Sequence, residues 1–261
     1  MKTSIAAHGR RAALILIASA IPLLGCSDST PAPVTDASGI SFGPATAMAS
    51  GTARAYLTTD RAGLPTELGV ALTEGSLADL PIANAEYVLS LPSEASATPY
   101  KHAVINWVPN GHAPAMIYMV PHFDFHFYTI TDAERGGILL GDSVLAAKMA
   151  RQPASPFVPA GYVTGMAAAG MGLHWNDPDA PERHGELFTK TFIYGSYDGV
   201  FTFAEPMVTK AFLETRPAAV TTLVKLPAQW ASRGYQATSY TIAYNAVAKE
   251  YRIALTGLVA R

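Results

Sequence analysis

The sequence predicts a mainly β protein: a single antiparallel β-barrel or sandwich with one or two short helices. Three features carry that expectation. Pro121-His122-Phe123-Asp124-Phe125-His126-Phe127-Tyr128 alternates strictly. As a strand, it sets His122, Asp124, His126 and Tyr128 on one face and three phenylalanines on the other. Asp198-Gly199 separates two aromatic-rich runs, a tight hairpin turn that needs positive φ. The chain also holds 21 glycines, 19 prolines and 12 tyrosines, which suits a turn-rich extracytoplasmic β protein.

Taken in order, the chain opens on a processing signal. Lys2, Arg10 and Arg11 precede an apolar run over 12–24, which ends Leu23-Leu24-Gly25-Cys26. This is similar to a bacterial lipoprotein signal, in which the cysteine becomes the lipidated first residue. The run is shorter than the ~20 residues of a membrane-spanning helix. We therefore expect a signal peptide over 1–25, lipidation at Cys26 and a location in the bacterial cell envelope, anchored through its lipid and facing periplasm or surface. Cys26 is the only cysteine, so no disulfide forms within one chain. Without residues 1–25 the chain keeps 15 basic and 20 acidic side chains, a net of −5. That balance, with no basic cluster beyond Arg11, excludes nucleic acid as an expected partner.

Residues 26–45 are rich in Pro, Ser and Thr and read as a flexible tether. The β-rich domain is expected over 46–261. Strands are predicted over 51–58 and 67–73 around the turn Asp60-Arg61-Ala62-Gly63, then over 86–91, 102–108 and 122–128. Asn110-Gly111-His112-Ala113-Pro114 is dense in turn formers. Thr131 with Glu134 three residues later predicts a capped helical turn, and 142–149 a short helix stopped by Pro153 and Pro156. A glycine-rich approach over 161–172 then delivers His174-Trp175. The hairpin strands are expected over 188–196 and 200–204, with Pro206 ending the second and 207–214 forming one or two helical turns. Strands over 221–226, 238–245 and 250–259 close the sheet. No internal repeat interrupts this pattern.

Two imidazoles and a carboxylate in one row are costly to bury without a bound partner, which points to a metal. Residues four apart on a strand stand ~13 Å apart, too far for His122 and His126 to grip one ion simply. Same-face residues two apart fit better, so Asp124 with one histidine, or a bulged strand, is expected. Completing ligands come from elsewhere: His174, after its small-residue approach, and Glu205, which shares parity with Phe201 and Phe203. His122, Asp124, His126, His174 and Glu205 are thus the candidate ligands for a divalent zinc, iron or manganese ion. Structural readings compete: Asp124 paired with His126 or an arginine, His174 as a packed turn residue, Glu205 as a solvated strand end near Lys190 or Lys210. His112 reads as a loop residue at the mouth of a site, and His102 and His184 have no supporting context. The sequence has no Gly-x-Ser-x-Gly and no glycine-rich phosphate loop after a strand.

These same residues carry a family resemblance. Asn106-Trp107, Pro109-x-Gly111-His112-x-Pro114 and the motif over 118–128 resemble an uncharacterised family of secreted bacterial proteins. So do Gly170-x-Gly172-x-His174-Trp175 and Phe201-Thr202-Phe203-Ala204-Glu205-Pro206-Met207. The family's prototype is a Thermus protein under anti-sigma-factor control. The resemblance implies a β-rich extracytoplasmic domain and no settled activity. Asn110 departs from the histidine expected at its position. A second similarity is to the histidine strand of the alpha carbonic anhydrases, whose His-x-His pair is broken here by Asp124.

The first functional expectation is therefore a lipid-anchored metalloprotein that acts as a metal-dependent enzyme on a small molecule. The alternative is a non-catalytic envelope lipoprotein that binds a small ligand between Phe123, Phe125, Phe127, Phe201 and Phe203, or assembles into oligomers.

Overall fold

The computed structural model describes Met1 and residues 39–261. The expected signal peptide, Cys26 and the first part of the tether lie outside the described residues. Among the described residues no helix is long and apolar enough to cross a membrane.

Strands β1 (Ile40–Phe42), β2 (Thr46–Met48), β3 (Gly51–Thr59) and β4 (Pro65–Thr73) open the fold. Asp60 makes the β3–β4 turn: its Oδ1 accepts from the backbone N–H groups of Ala62 and Leu64 at 2.8 and 2.9 Å. The next strands are β5 (Ala85–Ser90), β6 (His102–Val108) and β7 (His122–Tyr128). Helices α1 (Asp132–Gly136) and α2 (Ser143–Ala150) lead to β8 (Val163–Ala168) and β9 (Gly172–Asn176). Strands β10 (Lys190–Tyr197) and β11 (Val200–Thr209), α3 (Lys210–Glu214) and β12 (Val220–Leu223) follow. The chain ends with β13 (Tyr235–Gln236), β14 (Ser239–Asn245), β15 (Glu250–Thr256) and β16 (Val259–Ala260).

These strands build two large antiparallel sheets. The first runs β1-β3-β4-β15-β14-β12, with β2 also on β3; the second runs β5-β6-β7-β11-β10-β9-β8. One core draws on both: Leu57, Val70, Ile253 and Leu255 from the first sheet meet Ile105, Phe123, Phe125, Phe127 and Val208 from the second. The protein is thus a sandwich, and no closed barrel forms among the described residues, which corrects that half of the expected fold class. Tight interdigitation of two inner faces is what makes such a sandwich stable.

Local signals mostly act as expected. Thr131 and Glu134 form a reciprocal capping box at α1. The β10–β11 turn sets Asp198 and Gly199 at φ 51° and 83°, the geometry of a two-residue hairpin turn.

Four expectations need correction. Strand structure starts at Ile40, inside the stretch read as tether, because β1 pairs with β3 and packs Ile40 and Phe42 against the Tyr56 cluster. The glycine-rich approach is itself a hairpin, β8 paired to β9 with Ala168 opposite Gly172. Pro206 does not end its strand. Pairing of β11 with β10 runs on through Phe192 opposite Pro206, while pairing with β7 skips Glu205 and Pro206, where proline has no N–H to give. Finally, a bulge between Gly195 and Ser196 breaks the parity of Phe201 with Phe203. Phe201 packs on the main core, and Phe203 joins Val104 and Tyr128 on the opposite face.

Candidate metal centre

The polar row of β7 lies on the face of the second sheet turned away from the main core. That face is covered all the same: every residue of β7 is buried. Smaller apolar clusters cover it, one with Tyr118, Phe188, Ile193 and Met207, another with Val104, Tyr128 and Phe203. Between them a cavity of about 520 Å³ is lined by Asn106, His112, Tyr118, Asp124, Met166, His174, Arg183, Ile193, Glu205 and Met207, among others.

Register sets the site. Asn106 is opposite Asp124 on β6, and Met207 is opposite it on β11. On the far side of β11, Glu205 pairs with Ile193, and His174 of β9 pairs with Gly195. The five expected ligands do not share one place. They divide, with His112 added, into two groups whose ligand atoms lie within 4.8 Å of one another: His126, His174 and Glu205, and His112, His122 and Asp124. The ~13 Å reach that separates His122 from His126 along a straight strand is the physical reason.

In the first group, His126 Nε2 stands 3.3 Å from Glu205 Oε2, with both side chains at 0% and 2% exposure. Neither atom has a hydrogen-bond partner among the described residues, nor does His126 Nδ1. His174 Nδ1 lies 2.8 Å from the Met166 carbonyl. A carbonyl only accepts, so Nδ1 carries a proton and Nε2 is the ring nitrogen left to face the group. Phe203 packs edge-on to both imidazoles, at 4.7 Å from His126 and 5.7 Å from His174. It reaches them because its partner Gly195 has no side chain: a Cβ there would stand 2.6 Å from Phe203 Cδ1 and closer still to Cε1 and Cζ.

The second group has the same design. His122 Nδ1 is 2.6 Å from Val120 O and His112 Nδ1 is 2.7 Å from Ala113 O, so each ring turns Nε2 inward. Those Nε2 atoms lie 3.2 Å from Asp124 Oδ1 and 3.5 Å from Asp124 Oδ2. His122 Nε2 and Asp124 Oδ1 also lack hydrogen-bond partners among the described residues.

The electrostatics agree in direction. Burial pushes His126 down, and the charge of Glu205 more than offsets it, leaving the imidazole raised. His112 is likewise lowered by burial but raised by Asp124, ending at about 9. Burial raises the Asp124 carboxyl, and His112 and His122 more than reverse that, holding it below the ordinary carboxylate range. Each carboxylate therefore favours positive charge beside it, from an imidazolium or from a metal ion.

The sequence reads His112 as a loop residue at the mouth of a site; it does line the cavity, and the fold of 109–121 also carries it over Asp124, which its turn-forming neighbours do not signal. Glu205 is not a solvated strand end: Lys190 donates to Thr222, and Lys210 pairs with Glu214. His102 stacks on Tyr128 at 4.8 Å and joins neither group. His184 lies at the surface with Nε2 3.0 Å from Pro178 O. Phe123, Phe125 and Phe127 are fully buried in the sandwich core, whereas Phe201 and Phe203 line a small cavity of about 50 Å³.

Residues 60–107 match the family model described as TTHB210-like, hypothetical protein TTHB210. This is the uncharacterised family, with its Thermus prototype, that the sequence motifs resemble. The match runs from the β3–β4 turn to Trp107 of β6 and stops before the histidine strand. No curated protein and no solved structure matches the chain.

Proposed function

We propose that this chain is a metalloprotein whose ion is held by His126, His174 and Glu205, and that it acts as a metal-dependent enzyme on a small molecule entering the cavity. One observation carries the reading. His126 Nε2 and Glu205 Oε2 are buried, 3.3 Å apart and outside hydrogen-bond geometry with each other. Two donors ~2.1 Å from a common ion stand ~3.0–3.4 Å apart, so such a spacing suits ligands converging on a point between them. Two imidazole nitrogens and one carboxylate oxygen suit zinc, iron or manganese.

A divalent ion there supplies Lewis acidity toward a bound small molecule. The chain's own residues do the rest. The Met166 carbonyl fixes the tautomer and aim of His174. Glu205 offsets charge in a buried setting, and Phe203 seals the imidazoles on one side. His174 and Glu205 both line the cavity, which leaves that side for a ligand. We propose further that export through the segment 1–25 and lipidation at Cys26 place this domain at the bacterial envelope; Cys26→Ser should then release the protein into the soluble fraction.

The test is elemental analysis of the purified chain. At least about one equivalent of Zn, Fe or Mn is expected, with one equivalent fewer in His174→Ala. A metal-free chain that also fails to take up any of these ions rules the reading out. A second reading, a non-catalytic small-ligand lipoprotein, is favoured by the cavity itself. Its ~520 Å³ lies within the ~300–1,000 Å³ usual for ligand pockets, and Ile193, Met166 and Met207 are among its walls. Thermal shifts against a metal series and against a small-molecule panel separate the two.

A further inference from the structure

The geometry points to a second cation site, formed by His112, His122 and Asp124, that binds its own first-row transition dication beside the first. This goes beyond the reading above and rests on different side chains. The three residues come from two separately anchored pieces of backbone. His122 and Asp124 project from one face of β7, two residues apart, at 0% and 4% side-chain exposure. His112 arrives from the loop that precedes the strand.

That loop is pinned. Gly111 takes φ +67°, and a Cβ there would meet the backbone of Tyr118 and stand 2.6 Å from Met119 Cα. His112 N donates to Tyr118 O at 3.2 Å, and the Tyr118 hydroxyl donates to Glu182 at 3.0 Å. The His112 and His122 rings then stand 4.8 Å apart at 77°, with Asp124 reached by both.

Each imidazole commits its Nδ1 proton to a backbone carbonyl, so two Nε2 atoms face one carboxylate. Such a set holds together with a positive charge among its members, and a dication that displaces the proton between imidazole and carboxylate supplies it. The separations, 3.2 Å from His122 Nε2 to Asp124 Oδ1 and 3.5 Å from His112 Nε2 to Asp124 Oδ2, lie within about 0.1 Å of the ~3.0–3.4 Å between donors that share an ion at ~2.1 Å. Two nitrogens and one oxygen disfavour calcium and magnesium, which take oxygen ligands, and suit zinc, manganese, iron or cobalt. Asp124 and His126 are two residues apart, ~6.6 Å along the strand, whereas bridged two-metal sites hold their ions ~3.5–4 Å apart. The two ions therefore keep separate protein ligands.

The test is Co(II) titration of the chelator-stripped full chain, read by visible absorption and elemental analysis. Wild type should take up two equivalents, His112→Ala one and His174→Ala one. His112 is 38% exposed, so its truncation leaves the fold intact. Loss of an equivalent in His112→Ala, with His174→Ala unchanged, supports this site and overturns the His126 reading. Equal uptake by wild type and His112→Ala overturns this one. A measurement on the wild type alone gives the same decision. Saturating Co(II) should slow carbethoxylation of His112 by diethylpyrocarbonate by roughly tenfold or more, as mass action requires. Equal rates with and without Co(II) overturn the proposal.

Discussion

Gly195→Ala is the sharpest test of how the first histidine group is built. The new methyl would stand 2.6 Å from Phe203 Cδ1 and closer still to two further ring carbons. Carbon atoms rest ~3.5–4.0 Å apart, so the ring must retreat by at least ~1 Å. Phe203 is only 2% exposed and packed against Val104 and Tyr128, so a retreat of that size disturbs its neighbours. Overpacking of this kind costs about 1–3 kcal/mol. For a domain of this size each kcal/mol lowers Tm by ~2–4 °C, so a fall of ~2–12 °C is expected in calorimetry. Because the ring packs on His126 and His174, metal uptake at that group should weaken in the same variant. Adding Phe203→Leu makes room for the methyl and should recover part of the lost Tm. A Gly195→Ala protein that melts with the wild type would show that Phe203 does not lie over Gly195.

Two further outcomes follow from contacts away from the histidines. Glu86 is held below the usual carboxylate range, first by hydrogen bonds from Arg135 at 2.8 and 3.1 Å and then by Asn106 at 3.2 Å. Its stabilisation is therefore full above the unfolded value of ~4.3 and is lost as pH falls through the lower folded value. With 40% of the side chain exposed, the effect stays below about 1 kcal/mol. Glu86→Gln should show a smaller fall in Tm than wild type on acidification across that window; parallel curves would refute the assignment. Asp142 caps α2 by accepting from the N–H groups of Val144 and Leu145, both at 3.0 Å. Asp142→Ala should cost about 1 kcal/mol in denaturant unfolding, and an unchanged midpoint would show that the cap contributes nothing.

The fold was legible wherever a local rule acts alone. Alternation in 122–128, the Asp198-Gly199 turn and the Thr131–Glu134 box each depend on a few neighbouring residues. So does the ~13 Å spacing that keeps His122 and His126 apart. What escaped was set by distant parts of the chain. Parity shows which residues share a face, but not which face meets the other sheet, so Phe123, Phe125 and Phe127, expected beside a ligand, fill the core instead. A bulge of one residue reversed Phe201, and nothing near it announces the bulge. Pro206 looked like a stop because an isolated strand gives no hint that its missing N–H would fall toward only one neighbour. His112 reaches Asp124 through the path of a whole loop, which turn-forming residues signal without revealing where it leads.

The interrupted ladder at Glu205 and Pro206 has a mechanical side. Glu205 rides on a segment of β11 that β10 grips from one edge, while the edge toward β7 has no rung at those two residues. His126 sits across that gap on a strand held by β6. The gap works like an expansion joint: no rung of the β7–β11 ladder ties Glu205 to His126, while the ladders on either side stay closed. In the proposed metal site, the distance between these two ligands would then be set by the ion and not by a backbone rung.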